Sequence, residues 1–350
     1  MSTADLGGGA GGAGVPAGAG GPGGGAVGAG GPGARAAGGP GAWAGGPGAT
    51  AVARAVPDGS GYHPELAIHP GAPVSSWLRF LGSELRLIFG RRRNQALLGV
   101  LVALPILIGV ALRLQASSAG GGGGGGQGPA FFSQVTDNGV FLALAAITVL
   151  LILVLPLAVA VVAGDSIAGE AGLGTLRYLL AVPVGRTRLL FIKYTALVIF
   201  GLAACLLVTV VSLATGAALF PVGPVTLLSG TTVPLAAGLL RLLLVTLYVG
   251  AAMAAVGAIG IAISTFTEHA IAAMAAILVV VVGSEVADSV SQFAVIHPFL
   301  PTHFWLSFDA LLRSPVDWAS AWHGLASFAA YVIIFGSIAW ARFTTADVTS

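Results

Sequence analysis

Six apolar runs constrain this chain more than any other feature of its sequence. A helix needs about 20 predominantly apolar residues to cross the hydrocarbon core of a bilayer. Only 8% of the 350 residues are charged and 56% are hydrophobic, whereas about 25% are charged in a typical soluble domain. The sequence therefore predicts an all-α membrane protein. Its six transmembrane helices are expected at residues 96–114, 139–163, 194–219, 236–263, 270–288 and 321–341.

The region before the spans differs in composition from the rest. Residues 1–73 are rich in Gly, Ala and Pro, and such a segment buries too little apolar surface to offset the entropy lost on ordering. They are predicted to form a disordered cytoplasmic tail, followed by one membrane domain over residues 74–350. The seven-glycine run Gly120–Gly126 lies between the first two spans and is predicted to be a flexible loop.

The segment just before the first span is predicted to be an amphipathic helix in the plane of the membrane. At about 100° per residue its large apolar side chains fall within an arc of about 120°. Arg79 and Arg86 lie on the opposite side, where they would face anionic headgroups. A plain basic flank to the first span is the alternative. The apolar arc contains Trp77, Leu78, Leu81, Leu85, Ile88 and Phe89.

The distribution of basic residues predicts the orientation, because Lys and Arg near the ends of spans are retained on the cytoplasmic side. With the N-terminus inside, three arginines are external: Arg113, Arg241 and Arg313. We therefore expect a bacterial-type plasma (inner) membrane protein with both termini cytoplasmic. The basic residues do not interleave with aromatic ones, so no nucleic-acid partner is expected. The cytoplasmic set is Arg79, Arg86, Arg91, Arg92, Arg93, Arg177, Arg186, Arg188, Lys193 and Arg342.

The loop between the second and third predicted spans holds most of the cytoplasmic charge. Asp165 is expected just beyond the membrane surface, and Thr175 can begin a short helix that Pro183 ends. A short polar helix displayed outside the membrane is suited to insertion into a partner's groove. The alternative is a simple reversal that keeps charges out of lipid.

This loop resembles the first cytoplasmic loop of the ABC type-2 transporter permease family. The family pattern is an acidic residue, Gly-Glu, Gly-Thr-Leu, Leu-Leu, Pro, Arg and Lys. The resemblance implies an N-terminal elbow helix, here with Trp77, Arg79 and Arg86, a cytoplasmic coupling helix and half-inserted outer helices. The matching positions are Asp165, Gly169-Glu170, Gly174-Thr175-Leu176, Leu179-Leu180, Pro183, Arg186 and Lys193.

The same resemblance implies the partners. In such a complex a separate ABC ATPase subunit binds ATP and Mg²⁺, and a second copy of the chain or a related permease completes the path. Export of a hydrophobic or amphipathic substrate is the implied activity, with membrane lipid as the surroundings and no cofactor in this chain. The implied ATPase-coupling residues are Asp165, Gly169, Glu170, Gly174, Thr175, Leu176, Arg177, Pro183 and Arg186.

The energy source can be considered from the residues alone. A P-loop needs G-x-x-x-x-G-K-[ST], but Lys193, the only lysine, follows Ile192. An ion-gradient-driven secondary transporter normally has ionisable residues near the middle of its spans. The charged residues here lie toward the span ends, so this alternative is disfavoured and the chain is predicted not to be an enzyme. An intramembrane enzyme would need a cluster such as Glu285, Asp288 and His323.

The outer segment before the last span contains residue types that suit zinc or copper. His297, His303, Asp309 and Asp317 occur there, but their spacing matches no compact ligand motif. The sequence therefore predicts no metal site, and interfacial helices at headgroup level instead.

Overall fold

The computed structural model describes residues 73–118, 130–172 and 185–345, all within one unit that covers Ile68–Ser350. In this described part, six helices are long and apolar enough to cross a membrane. The predicted class, an all-α membrane protein with six spans, is confirmed at this level. Residues 1–72 of the predicted tail and the run Gly120–Gly126 lie outside the described residues.

The chain begins with two helices that have different surroundings. Helix α1, Pro73–Gly90, is amphipathic and packs along a later helix through Trp77, Leu81 and Leu85. Helix α2, Arg92–Ser118, is the first candidate span and continues through Pro105. Most of its length is exposed, as expected for a surface that faces lipid.

The predicted second span, 139–163, is divided into two helices. Helix α4, Phe141–Ile152, ends before Leu153, which has a non-helical ψ/φ pair, and α5 follows at Val154–Gly164. Pro156 explains the break, because its ring clashes with the carbonyl of Ile152 and it has no N–H to donate. A short helix α3, Ala130–Asp137, precedes α4.

Beyond α5 the helix does not stop at the predicted membrane surface. A turn of π-helix covers Asp165–Gly169, and the short helix α6 covers Glu170–Gly172. The resulting candidate span is Val154–Gly172, so the first residues predicted to lie in a loop are helical. Wide turns of this type are frequent at functional sites.

The two longest helices form the centre of the molecule. Helix α7, Arg186–Leu219, starts eight residues before the predicted span, and α8, Leu235–Ser264, is the most buried of the candidate spans. A small antiparallel hairpin, Val225–Thr226 with Thr232–Val233, connects them. Gly230, with φ of +77°, makes its turn, which suits a residue without a Cβ.

The last part of the chain contains helix α9, Ala270–Ser289, and helix α10, Trp318–Thr345. Between them lie 3₁₀ helices at Ser291–Phe293, His297–Phe299 and Trp305–Leu312. The third is mostly buried. Half-inserted helices are predicted in this region; their depth in a bilayer stays a prediction.

Helix ends meet at two opposite ends of the bundle. At one end, Gly139 and Gly216 bring the start of α4 against the end of α7: a Cβ on Gly216 would lie 2.0 Å from the Gly139 carbonyl oxygen. Asn138 donates to the carbonyls of Gly223 and Pro224 beside this contact. At the other end, the residues after α5 meet the starts of α2 and α9, the first turns of α7 and the end of α8, and the end of α10 contacts the start of α7.

Candidate functional site

Six charged residues assemble at the second of these ends, and we call them the Asp165 cluster. They come from four segments that are far apart in sequence: α1, the start of α2, the residues after α5, and α7. The π-helical turn and α6 place the two acidic residues of the predicted coupling loop among them. The members of the cluster are Glu84, Arg91, Arg93, Asp165, Glu170 and Lys193.

Asp165 connects the residues after α5 to the start of α2. Arg91 Nη1 donates to Asp165 Oδ2 at 2.5 Å, and Arg93 Nη2 donates to the same oxygen. The two arginine side chains are 42% and 46% exposed, whereas Asp165 is 15% exposed. The carboxylate is therefore enclosed by the arginines on the side that faces solvent or headgroups.

Lys193 forms the buried half of the cluster. Its Nζ lies 2.6 Å from Glu170 Oε1 and 3.2 Å from Glu84 Oε1, and its side chain is 2% exposed. The sequence predicts a span that begins at residue 194, so Lys193 is expected in the preceding loop. In the structure α7 begins at Arg186, and Lys193 lies two turns inside this helix. Burial of a lysine requires compensating charges, and α1 and α6 each supply one carboxylate.

Ser264 at the end of α8 fixes the π-helical turn, and the sequence interpretation missed it. The amides of Ile167 and Ala168 donate to Ser264 Oγ at 3.3 and 2.9 Å, and Oγ donates to the Gly164 carbonyl at 3.2 Å. The side chain is fully buried. A serine at the end of an apolar span is a weak signal, since only the tertiary structure brings it to the turn.

Close packing accompanies these hydrogen bonds. A Cβ on Gly164 would lie 2.7 Å from Met274 Cγ and 3.1 Å from the Ala270 carbonyl oxygen. Gly164 thus permits α5 to approach the start of α9, and a larger residue would force the two helices apart.

Arg186, another predicted coupling residue, lies at the start of α7. Its Nη1 donates to the carbonyl of Thr344 in α10 at 3.1 Å. Next to it, Trp340 Nε1 donates to Thr187 Oγ1 at 3.0 Å. These bonds join the start of α7 to the end of α10, near the C-terminal end of the described chain.

The predicted elbow residues divide between two surfaces of α1. Trp77 packs with Leu81 against Ile192 and Ala196 of α7, so part of the apolar face contacts protein. Arg79 and Arg86 lie on the exposed side, as the helical pattern predicted.

Gly169, another predicted coupling residue, belongs to the π-helical turn. A Cβ at this position would lie 3.3 Å from Asp165 Oδ1. Five further predicted coupling residues lie outside the described part of the chain, and their role stays a prediction: Gly174, Thr175, Leu176, Arg177 and Pro183.

At the opposite end of the bundle the acidic and histidine residues separate into different contacts. Asp309 pairs with Arg313 at 3.4 Å, and Asp317 accepts hydrogen bonds from Ser320 at the start of α10. The Ser320 hydrogen bonds lower the pKa of Asp317. His323 contacts the carbonyl of Ala319 in its own helix. The enzyme alternative would instead require a contact between His323 and Glu285 or Asp288.

Asp288 instead contacts the two histidines of the outer segment. His303 Nδ1 lies 2.6 Å and His297 Nδ1 3.8 Å from Asp288 Oδ1. We call these three residues the Asp288 cluster. The sequence interpretation named both histidines but grouped them with Asp309 and Asp317, because Asp288 falls within a predicted span.

Comparison with known protein families gave a match over the central part of the chain. Residues 91–284 match the model of a family described as "ABC-2 family transporter protein". The match covers more than half of the chain and includes Asp165, Glu170 and Lys193. A search of curated proteins gave no match.

Proposed function

Because the chain belongs to the ABC-2 transporter family and is thus a transmembrane subunit of an ABC transporter, we propose that it is the permease of an ATP-driven exporter. A separate ATPase subunit would dock on residues 164–193 and on α1. ATP and Mg²⁺ would be bound by that partner, since the chain has no P-loop motif.

One observation carries this proposal: the residues that follow α5 are bonded to α2, α7 and α8 and, through Lys193, to α1. Asp165 pairs with Arg93 of α2 and with Arg91 just before it, and Glu170 pairs with Lys193 of α7, which also pairs with Glu84 of α1. Ser264 joins the same turn to α8. A force applied to this segment would therefore reach α1, α2, α7 and α8 together.

This arrangement suits transmission of a rigid-body movement. When the ATPase subunits close, the docked segment would move and the bonded helices would move with it. The path would open along the interface with a second copy of the chain or with a related permease. A plasma membrane location with both termini in the cytoplasm would place the Asp165 cluster on the side of the ATP supply.

The hydroxyl groups around the middle of the two central spans fit an external energy source. Thr209 Oγ1 and Thr246 Oγ1 lie 2.8 Å apart, and each also lies close to a carbonyl oxygen of its own helix. Because each hydroxyl has one proton, one of the two donates to the other, which in turn donates to its own carbonyl. Ser212 donates to Val208. Hydroxyl groups do not titrate near neutral pH, so they provide no proton-carrying group for gradient-driven transport.

The interior also bears on the substrate class. The buried hydroxyl groups of the described spans are already hydrogen-bonded within the chain, so they are not free to coordinate a small ion. We therefore favour the hydrophobic or amphipathic substrate that the family resemblance implies.

The first test is affinity purification of the full chain in mild detergent. We expect a soluble protein with a Walker motif to co-purify at near-equal stoichiometry. Recovery of the chain without any such protein, from cells that produce it at its native level, would count against the proposal.

Charge reversal in the loop sharpens this test. Arg177→Glu should abolish ATPase co-purification, because it inverts charge at the proposed contact. Arg113→Glu is the matched control. Arg113 lies near the end of α2 that is far from the Asp165 cluster, so the same charge reversal there should leave co-purification intact. Glu170→Lys is less informative, because Glu170 pairs with the buried Lys193 and reversal would also disturb the fold.

Reconstitution distinguishes the competing mechanism. The purified chain alone, in liposomes with a pH gradient, should move no solute against its gradient. Uphill transport under those conditions would establish a proton-coupled carrier and overturn the proposal.

A further inference from the structure

The Asp288 cluster combines three groups that commonly bind metals. Asp288 lies in the last turn of α9, His297 begins a 3₁₀ helix, and His303 lies six residues further on. One ligand atom from each residue lies within 4.8 Å of the others. The side chains are 19% to 31% exposed, so the cluster is partly enclosed but open to small ions.

The hydrogen bond of His297 determines which of its nitrogens is available. His297 Nε2 lies 3.2 Å from the carbonyl oxygen of Val290. A carbonyl oxygen accepts and cannot donate, so Nε2 carries the proton and donates it. In the neutral ring Nδ1 is then unprotonated, with its lone pair available to a cation.

The lone pair on His297 Nδ1 lies near a second hydrogen-bond acceptor, the carboxylate of Asp288. His297 Nδ1 lies 3.8 Å from Asp288 Oδ1, and a carboxylate oxygen cannot donate to it when ionised. A cation between the two atoms satisfies both. Metal-binding histidines usually donate their second ring N–H to a backbone carbonyl or carboxylate, and the Val290 bond has this form.

The His297 distance is close to that expected around a first-row metal. Metal bonds of about 2.0–2.2 Å in tetrahedral geometry hold ligand atoms about 3.4 Å apart, and His297 Nδ1 lies 3.8 Å from Asp288 Oδ1. The His303 pair, at 2.6 Å, is a hydrogen bond in which Nδ1–H donates to the carboxylate. An ion bound at this point would replace that proton and lengthen the separation.

The backbone around the cluster is fixed by contacts outside it. Ser284 Oγ and Thr302 Oγ1 share a hydrogen bond of 2.8 Å, and both side chains are buried. Tyr331 of α10 donates to the Phe299 carbonyl. The ligand-bearing segment is therefore held against α9 and α10 before any ion binds, which reduces the entropy lost on binding.

We propose that Asp288, His297 and His303 bind a divalent first-row transition metal ion, with Zn²⁺ as the probe. Two imidazoles and one carboxylate suit Zn²⁺, Cu²⁺ or Ni²⁺ and disfavour Mg²⁺ and Ca²⁺, which take oxygen ligands. Water would complete the coordination. The ion would clamp the end of α9 to residues 297–303, and this site is independent of the proposed transport role.

Binding is tested on the full chain, purified in detergent through an affinity tag without histidines and stripped with a chelator. Calorimetric titration with Zn²⁺ should give one saturable site that Mg²⁺ does not fill. Asp288→Asn and His297→Gln should each weaken Zn²⁺ binding by about 100-fold or more, since loss of even an outer-shell partner costs about 10- to 100-fold.

Matched controls use three of the four remaining histidines. His323→Gln, in the nearby α10, and the double change His63→Gln with His69→Gln should leave the Zn²⁺ affinity unchanged. Unaltered binding by Asp288→Asn, or loss of binding in a control instead, would overturn the assignment.

A second measurement needs no variant. X-ray absorption of the Zn²⁺-loaded wild-type chain should show imidazole and oxygen ligands at about 2.0–2.2 Å. A shell made only of oxygen, or absence of stoichiometric Zn²⁺, would mean that the cluster is a hydrogen-bonded triad and would overturn the proposal.

Discussion

The two ends of the helix bundle are held together by different chemistry. The Asp165 cluster joins four segments through ion pairs, and one of its members, Lys193, is 2% exposed. At the opposite end, α4 and α7 meet through the backbones of Gly139 and Gly216, and Asp309 and Asp317 make local contacts. Ion pairs join the long helices at one end, whereas α4 and α7 are joined by close backbone packing at the other.

The difference bears on how each end responds to change. Ion pairs depend on partners from distant segments, so loss of one charge leaves another buried without compensation. The contact between Gly139 and Gly216 depends on the absence of side chains, so a substitution that adds a Cβ disrupts it by steric overlap. At the end with the proposed ATPase contact, the helices can therefore move apart when ion pairs of the Asp165 cluster break, without repacking of the apolar core.

The largest effect is expected at Lys193. Lys193→Met leaves Glu84 and Glu170 partly buried without their cation, and we expect it to lower the free energy of unfolding by about 3–5 kcal/mol. Thermal unfolding of the detergent-purified chain measures this. Lys193→Arg keeps the charge and should retain more of the stability; equal losses for the two variants would contradict the ion-pair explanation.

The next effect belongs to the glycine contact. Gly216→Ala places a Cβ against the Gly139 backbone, and overpacking of this kind costs about 1–3 kcal/mol. Gly99→Ala is the control, because a Cβ at Gly99 in α2 meets nothing within 4 Å. A Gly216→Ala chain as stable as the control would show that the two helices are free to separate.

A smaller effect is expected at Asp165. Asp165→Asn removes its ion pairs with Arg91 and Arg93, whose side chains are nearly half exposed, so the loss should be about 1 kcal/mol or less. Salt screens such pairs, with a Debye length of about 3 Å at 1 M. The gap between wild type and variant should therefore narrow in high salt; a constant gap would point to packing instead.

The smallest effect is expected at Arg313. Its pair with Asp309 is 3.4 Å long, has an i, i+4 spacing and is exposed, and such pairs contribute about 0.3–0.5 kcal/mol. Arg313→Ala should leave the unfolding temperature nearly unchanged in the same assay. A loss comparable to that of Lys193→Met would invalidate the contrast between the two ends. The hydrogen bond from Arg241 to the Arg313 carbonyl is kept in this variant, because it involves only the backbone of residue 313.

Parts of the site were predictable because they follow from local patterns. Asp165 and Glu170 stand out as charges after an apolar run, and the arc of Trp77, Leu81 and Leu85 predicts the buried side of α1. The partners of these residues were not predictable. Lys193 looked like a residue outside a span, because hydropathy alone cannot reveal that two carboxylates from other segments neutralise a buried ammonium group.

The outer segment illustrates the same limit. Its two histidines are of a type that suits zinc or copper, but the sequence predicts no metal site, because the carboxylate that contacts them comes from Asp288, which the hydropathy pattern assigns to a span. Ser264 was missed for a related reason, since its partners lie about 100 residues away. Spacing along the chain gives no information on such pairs.

The sequence by itself determined the solvent in which the chain folds, the number of spans and the family, because hydropathy and a local motif are properties of contiguous residues. The tertiary structure decided where α4 ends and α5 begins, which charges neutralise Lys193, and which acid meets His297 and His303. The physical reason is that ion pairs and ligand clusters require atoms within a few ångströms of one another, and only helix packing brings distant segments that close.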